Sequence, residues 1–501
     1  MNLSMPVDET FCGKVALNKT NLIQPHGYLL IISRADFSIL QVSENTSELL
    51  KRPLKEIPGS LLEEYLSPSQ LNLLKENMQG NYNRSIPFLI DFPLGNLLSM
   101  VKLQSDYFLM EAHKGQAREE QDPFFRVFQD LKIFTAAIEN TASIAEMCAI
   151  ASAELKRISG FDKVMIYQFD QYWNGDVVAE SMEPEMESYL GLKFPASDIP
   201  QQARELYRQM PYRLIASTDY EPVKLYPVLN PITGTFTDLS QINLRSVAAV
   251  HLEYLRNMKV MASMSTRILQ NNELWGLIAC HHRSPKFLSY AHCTFFELAS
   301  SLLSARMAAI HLRESGAYKE QMQTLHIEII ESFYKHRSLL HSGKGIRDLL
   351  NADGVAIVSG SEIKTLGLTP SSEDLEELIF WLQSMNIQKT FTEPALAQRF
   401  EPASEYADQI SGLLALPLHP EKRYYLLAFR QEEVQKISWS GNPSETVHFE
   451  PDGIQYHPRS SFRIWQQTLR GRAVEWSPEE LEVAERFRNS VVDFLLNKTD
   501  I

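Results

Sequence analysis

Apolar and polar residues alternate along 28–33 and again along 38–43, with Arg34-Ala35-Asp36 between them. Side chains of a strand point to opposite faces in turn, so this pattern predicts a β-hairpin. Asn45 then stands where it would cap a short helix, making the first region α+β. Residues 113–122 are polar and charged and read as a linker. Beyond it a strand over 162–169, an Asn174-Gly175 turn and a returning strand over 176–182 start a second α+β region. A helix around 246–258 precedes another hairpin, in which 262–269 and 274–281 flank Asn271-Asn272.

From 289 to 340 there is no proline, and apolar residues recur at three- and four-residue steps: Leu298, Leu302, Ala305, Ala309 and Leu312. The pattern predicts one long helix, broken at most near Gly316, of ~50 residues and ~75 Å. That is longer than one domain needs, and its natural uses are to join domains and to pair with a copy of itself. A third α+β region runs from about 342 to the end. After its strand at 424–429, residues 430–475 are rich in Trp, Pro, Gly, Ser and Arg and too long for an ordinary hairpin loop. The last helix opens with Ser477-Pro478-Glu479-Glu480, a capping box with proline at the first helical position. The expected fold is therefore α+β, with three consecutive antiparallel-sheet domains joined by long helices.

Composition narrows the function. A chain of 501 residues exceeds what one core serves, and 44% hydrophobic with 22% charged residues is ordinary for a soluble protein. A net charge of −14 without a basic stripe argues against nucleic acid or an anionic membrane as partner. Apolar stretches read as short and interrupted by charge, and Asp8 and Glu9 stand where a signal peptide would need an apolar core. No membrane span and a cytoplasmic location are expected. Cys12, Cys148, Cys280 and Cys293 have neither the density of a disulfide scaffold nor metal-ligand pairing, so reduced thiols and no metal site are expected.

The most informative stretch is Pro195-Ala196-Ser197-Asp198-Ile199-Pro200, a carboxylate held between two prolines that restrict the backbone around it. Alone, this is a turn with a solvated aspartate. Its company changes that. Cys12 lies upstream of Ile23-Gln24-Pro25-His26-Gly27. After the proline-flanked aspartate come Tyr207, Pro211-Tyr212-Arg213, Leu244-Arg245-Ser246-Val247, His251-Leu252-Glu253-Tyr254-Leu255 and Trp275-Gly276-Leu277-Ile278-Ala279-Cys280-His281-His282. Inside the 430–475 insertion stand Trp439-Ser440-Gly441-Asn442-Pro443 and Pro458-Arg459-Ser460-Ser461-Phe462.

In this order the motifs resemble the photosensory core of a bacterial phytochrome, a PAS-GAF-PHY array, over essentially the whole chain. The resemblance implies a PAS domain with the attachment segment over 1–120, a bilin-binding GAF domain over 121–312 and a PHY domain over 313–501, with a tongue at about 430–475. It further implies an N-terminal figure-of-eight knot with Ile23 in the lasso, and a red/far-red photoreceptor whose cofactor is a linear tetrapyrrole. Cys12 would be the covalent anchor. Val250 fills the place where phytochromes of other bilins carry their thiol, which points to biliverdin IXα.

Arg213 and Arg245 would hold a propionate, a task suited to planar guanidinium. Ser263, Ser265 and Tyr207 would serve the second propionate. Asp198, Ile199 and His251 would face the pyrroles, and His281 the D-ring carbonyl. Tyr167, Phe194 and Tyr254 would wall the isomerising ring. In the tongue, Arg459 would pair with Asp198 in the dark, red-absorbing state and Ser461 would replace it after refolding, beside Trp439, Phe462 and Trp465. The run Trp439-Ser440-Gly441-Asn442-Pro443 has one glycine where the family usually has two, so Ser440 leaves the turn open to alteration, and Ala248-Ala249 replace a common serine and proline.

Adjacent strand residues face opposite ways, so His281 and His282 do not read as a metal pair. Gly343-Lys344-Gly345 lacks the P-loop frame, and no ATP-binding segment follows His326. The resemblance implies no enzyme activity in this chain. It implies a homodimer and a following output domain, most often the histidine kinase of a two-component system and less often a diguanylate cyclase. The rival reading is a GAF-type sensor of a cyclic nucleotide or haem without photochemistry.

Overall fold

The computed structural model describes residues 16–78, 86–114, 123–336, 343–443, 447–449 and 456–496. Cys12 and nearly all of the 113–122 linker lie outside the described residues. The chain forms two compact units, 1–308 with 438–465, and 309–437 with 466–501.

In the first unit β1 (Leu22–Ile23) leads into the expected hairpin of β2 (Gly27–Ser33) and β3 (Ile39–Ser43), turned through a left-handed Phe37. Asn45 precedes α1 (Thr46–Leu50) but does not cap it. Its backbone is already helical, and its side-chain amide donates to the Gly27 carbonyl at 2.9 Å. After α2 (Pro68–Met78), strands β4 (Ile86–Phe92), β5 (Gly95–Leu103) and β6 (Tyr107–His113) complete the meander. Tyr28, Leu30 and Ile32 bury one face against Leu49, Leu50, Leu71 and Leu74.

After α3 (Pro123–Glu139) and α4 (Ile144–Ser159) come β7 (Lys163–Phe169), β8 (Gly175–Met182), β9 (Lys193–Phe194), α5 (Gln201–Gln209), β10 (Tyr212–Ile215), β11 (Val223–Tyr226), α6 (Ala249–Asn257), β12 (Ala262–Gln270) and β13 (Glu273–His282). Strand β11 leaves its neighbours to join the first sheet, whose order is β1-β11-β3-β2-β6-β5-β4. Ile23 opposes Val223 on one edge. On the other, Gln24 N–H donates to Leu244 O at 2.7 Å and Ser246 N–H to Leu22 O at 2.9 Å. Residues 22–24 are thus gripped by the stretches at both ends of 226–243, with Ile23 fully buried among Leu29, Leu225, Leu239 and Leu244. Helix α6 starts at Ala249, later than expected, and Arg245 and Ser246 before it bridge to Ile23 and Leu22.

Asn271 and Asn272 both have positive φ, 52° and 65°, as a two-residue hairpin demands. The turn expected at Asn174-Gly175 differs. Its left-handed residue is Trp173 (φ 65°), and Gly175 already begins β8. There a Cβ would lie 1.6 Å from the Tyr167 ring, so the glycine provides space instead of turn geometry.

Helix α7 (Tyr290–His336) runs 47 residues through Gly316 without a break. Its buried stripe is Phe296, Ala299, Leu303, Met307 and Ile310, whereas Leu298 and Leu312 are 39% and 75% exposed. The expected period is present, and two apolar stripes run side by side: the one with Phe and Met is buried, and the one that carries Leu298 and Leu312 is not. The expectation of only short apolar stretches is also corrected. One window of α7, of mean hydropathy 1.2, is long and apolar enough to cross a membrane by length and composition, and 44% of it is buried inside the protein.

The second unit holds α8 (Gly343–Leu349), β14 (Gly354–Ser359), β15 (Glu362–Gly367), α9 (Ser372–Ser384), β16 (Phe391–Glu393), β17 (Gly412–His419) and β18 (Tyr424–Arg430), in sheet order β15-β14-β18-β17-β16. Leu375, Leu378 and Leu382 of α9 cover one face. The other packs on Met322, Ile329 and Phe333 of α7 and on α10 (Pro478–Leu496). The capping box of α10 forms, with Ser477 N–H donating to the Glu480 carboxylate at 2.7 Å and Glu480 N–H to Ser477 Oγ at 3.1 Å.

The long insertion contains β19 (Gln435–Ser440), β20 (Val447–Phe449), β21 (Tyr456–Pro458) and β22 (Ile464–Leu469). Strands β19 and β22 extend the second sheet, in the order β10-β12-β13-β7-β8-β9-β19-β22, with Trp439 paired in parallel to Lys193.

Candidate functional site

The proline-flanked aspartate forms a single 3-10 turn, Ala196–Asp198, between an extended Pro195 and Pro200 at the start of α5. Its side chain is 6% exposed and accepts a hydrogen bond from Tyr254 Oη at 2.8 Å. It also forms an ion pair with Arg459, which is 3% exposed. The guanidinium carbon lies 4.7 Å from the ring centroid of Phe462 and 5.5 Å from that of Phe194. Burial pushes the Asp198 carboxyl above its usual range, while the Arg459 charge and the Tyr254 hydroxyl pull it back.

Two further links hold this region to α6: Asn257 Nδ2 donates to Arg459 O at 3.3 Å, and His457 Nδ1 meets Glu253 at 2.9 Å. Gly441 carries φ 87°, and a Cβ there would lie 2.6 Å from Arg459 Nη1. Ser440, by contrast, is the last residue of β19 and fully buried. The left-handed residue of this turn, where a side chain would be strained, is Gly441.

Strand register gathers a second set of residues. Arg213 opposes Ser265, and Ser263 opposes His281. Directly paired residues share a face, and strand residues two apart do too, so Arg213, Ser263, Ser265, His281 and Tyr167 all lie on one side of the sheet. Arg213 donates to the carbonyls of Asn243 and Arg245, and Arg245 to those of Leu239 and Ser240 at 3.3 Å. Neither guanidinium is in an ion pair among the described residues. Burial and the charge of Arg213 lower Arg245 to about 9. Burial raises the Tyr207 hydroxyl above its usual range, while the nearby Ser265 and the charges of Arg213 and Arg245 pull it back.

His251 stacks on Tyr254, and burial with Arg213 lowers it to about 4. Burial, Lys163 and His251 lower His281 to about 3, and its Nδ1 has no hydrogen-bond partner among the described residues. His282 instead accepts from the Asp162 N–H at 3.2 Å, and no metal-ligand cluster occurs among the described residues. Tyr167, Phe194, Phe462, Ile199 and Tyr254 form one apolar cluster. Trp439 is buried, whereas Ser461 is exposed and Trp465 is 38% exposed.

Several charged residues here escaped the sequence reading. Lys163, 1% exposed, pairs with Glu180 at 3.3 Å and lies 3.8 Å from the Tyr189 ring centroid. The buried Glu111 accepts the Leu244 N–H at 2.6 Å and so holds the stretch carrying Arg245. A lysine in phase with Met165 and Tyr167 on an apolar strand face was a usable signal. Glu111 offered one of the same kind, an acid inside the otherwise apolar run of β6.

Three sheet-bearing regions, with a buried polar face in the second and an insertion from the third paired to its aspartate, define a PAS-GAF-PHY sensory array. Family matches agree: PAS fold over residues 12–93, GAF domain over 143–307 and phytochrome region over 320–500. Cyanobacterial phytochrome B of Nostoc sp. is 34% identical over all of this chain and 68% of its own length. A bacteriophytochrome of Xanthomonas campestris is 34% identical over 96% of this chain and 78% of its own length. Among solved structures, a bacteriophytochrome from R. palustris superposes with TM-score 0.85 at 31% identity, covering 98% of this chain and 99% of that one. The Stigmatella aurantiaca phytochrome photosensory core module gives 0.84 at 31% identity over the same shares.

The chain belongs to the phytochromes. It is a red/far-red photosensory module for a bilin chromophore.

Proposed function

We propose that this module holds biliverdin IXα, attached through Cys12, and reports D-ring isomerisation to the tongue through Asp198. The observation that carries this reading is the buried Asp198–Arg459 ion pair between the proline-flanked turn and the 430–475 insertion. The pocket chemistry supports the ligand class. The buried Arg245 and the partly buried Arg213, with no carboxylate paired to either among the described residues, suit a propionate, Ser263, Ser265 and Tyr207 suit a second, and His281 Nδ1 is a buried polar atom in need of a partner. When bound, the bilin supplies light-driven Z/E isomerisation. In the protein's part, Asp198 and His251 take the pyrrole N–H groups, and Tyr167, Phe194 and Tyr254 confine the D ring. Arg459 leaves Asp198 as the tongue turns from hairpin to helix, and Ser461 takes its place. Residues 22–24 passing between the two ends of 226–243 support the knot. Under a GAF-type sensor, Arg245 and the tongue have no task.

Mixing the apoprotein with biliverdin is expected to give a red-absorbing species that survives denaturing electrophoresis with zinc fluorescence and converts reversibly under red and far-red light. Cys12→Ala should lose covalent retention. Equal retention in that variant would remove the anchor assignment.

The module acts in the cytoplasm as the sensory part of a longer protein with a histidine kinase or, less often, a diguanylate cyclase output, and it pairs as a homodimer. The exposed stripe Leu298, Ala305, Ala309 and Leu312 on α7 supports that pairing. A Leu298→Glu/Leu312→Glu variant is expected to weaken dimerisation at least tenfold by sedimentation while retaining its red absorbance. An unchanged dimer would move the interface elsewhere.

A further inference from the structure

Asp198 can serve as a switch only if its carboxylate is aimed at one place, and two prolines restrict its backbone without orienting it. Orientation comes from a side chain outside every motif considered above. Arg204, on the second turn of α5, is 6% exposed. Its Nη1 donates to Ile199 O at 2.7 Å and reaches Ala196 O at 3.5 Å, the carbonyls on either side of Ser197-Asp198. Its guanidinium carbon lies 4.7 Å from the ring centroid of Trp173, the left-handed residue of the β7–β8 turn. The next residue in that turn completes the brace, with Asn174 Oδ1 accepting the Ala196 N–H at 3.2 Å.

The turn is itself fixed. Asp170 accepts Tyr172 N–H at 2.8 Å and Asn174 N–H at 2.9 Å, and its other oxygen takes Lys193 Nζ at 2.9 Å. Lys193 is the residue paired with Trp439 of the insertion.

We propose that Arg204, seated on Trp173, is the positioning residue that orients the Asp198 turn toward Arg459. A guanidinium can lie with its plane against an indole while Nη1 donates to the carbonyls, whereas an ammonium has no plane to stack and no rigid fork to fix the direction of its donors. The shared β7–β8 turn places the aspartate loop and the tongue's pairing edge on one support, so loosening Arg204 misaims Asp198 without touching the pocket face of the sheet.

The inference rests on the proposed switch role of Asp198, so its test carries Asp198→Ala beside Arg204→Lys, each as the biliverdin-loaded full chain. Arg204→Lys is expected to keep adduct yield, red absorbance and melting temperature, to lower conversion under saturating red light at least threefold, and to shift the Asp198 carboxyl band in light-minus-dark infrared spectra. Trp173→Leu should reproduce the defect, and Trp173→Phe should not. If Asp198→Ala converts fully, the switch reading itself is wrong. If Asp198→Ala is arrested while Arg204→Lys converts like wild type, the positioning role is overturned. It is also overturned if Arg204→Lys loses adduct, melting temperature and conversion in parallel, since that is the signature of a scaffold residue.

Discussion

Arg459→Ala is expected to free the tongue from the proline-flanked turn at a cost of about 3–5 kcal/mol to the hairpin form, the size of effect seen when one partner of a buried pair is removed. The cost has little to do with a lost contact as such. Asp198 is 6% exposed, so without Arg459 it keeps its desolvation and loses the opposing charge. Burial already raises its pKa, and removal of the cation raises it further, so the carboxyl is driven toward its protonated form. The aromatic box adds to the loss, because a guanidinium over Phe462 and Phe194 contributes up to about 2 kcal/mol when desolvated. Hydrogen exchange in 435–443 and 456–469 should accelerate, while on the proposed reading biliverdin should still attach, since the proposed anchor Cys12 and the proposed propionate partners Arg213 and Arg245 are untouched. Asp198→Asn/Arg459→Met, which removes both charges, should restore much of the protection. Unchanged exchange in Arg459→Ala would mean that the pair does not hold the tongue.

The contrast between what the chain's pattern revealed and what it concealed has a physical basis. Alternation and turn chemistry are local, so the hairpins of β2 with β3 and of β12 with β13 were legible, as was the Ser477–Glu480 box. The motifs located Asp198 and Arg459, 261 positions apart. On α7 the period was legible, while which of its two apolar stripes the fold buries depends on the partner surface. Buried charge was only partly legible: Lys163 and Glu111 each interrupt an apolar strand pattern, Arg204 has an unremarkable local sequence, and the partner of each is a carbonyl, carboxylate, amide or ring that the fold brings from elsewhere. Asn174-Gly175 misled for the same reason. The dipeptide satisfies a turn rule, yet its glycine answers to a tyrosine on the neighbouring strand.

That glycine gives the second large effect. Gly175→Ala is expected to displace the Tyr167 ring, since the new Cβ would lie 1.6 Å from Cζ and 2.0 Å from Oη. Gly175 does not have a positive φ, so the substitution strains no backbone and the effect is steric alone. The ring has little room to yield. Tyr167 is 7% exposed, with Phe169 and Phe194 at centroid distances of 5.3 and 6.0 Å. Overpacking of this kind costs about 1–3 kcal/mol, and the moved ring should shift the red absorbance and reduce conversion to the far-red form.

Tyr167→Ala should relieve the strain, so the double variant is expected to be more stable than the sum of the singles by about 1–3 kcal/mol in chemical denaturation. Gly276→Ala is the discriminating control. Its Cβ would lie 2.2 Å from the Tyr167 backbone oxygen, which no truncation of the side chain removes, so Tyr167→Ala should not rescue it. Additive stabilities in the Gly175 cycle would place the space requirement at Gly175 on something other than the Tyr167 ring.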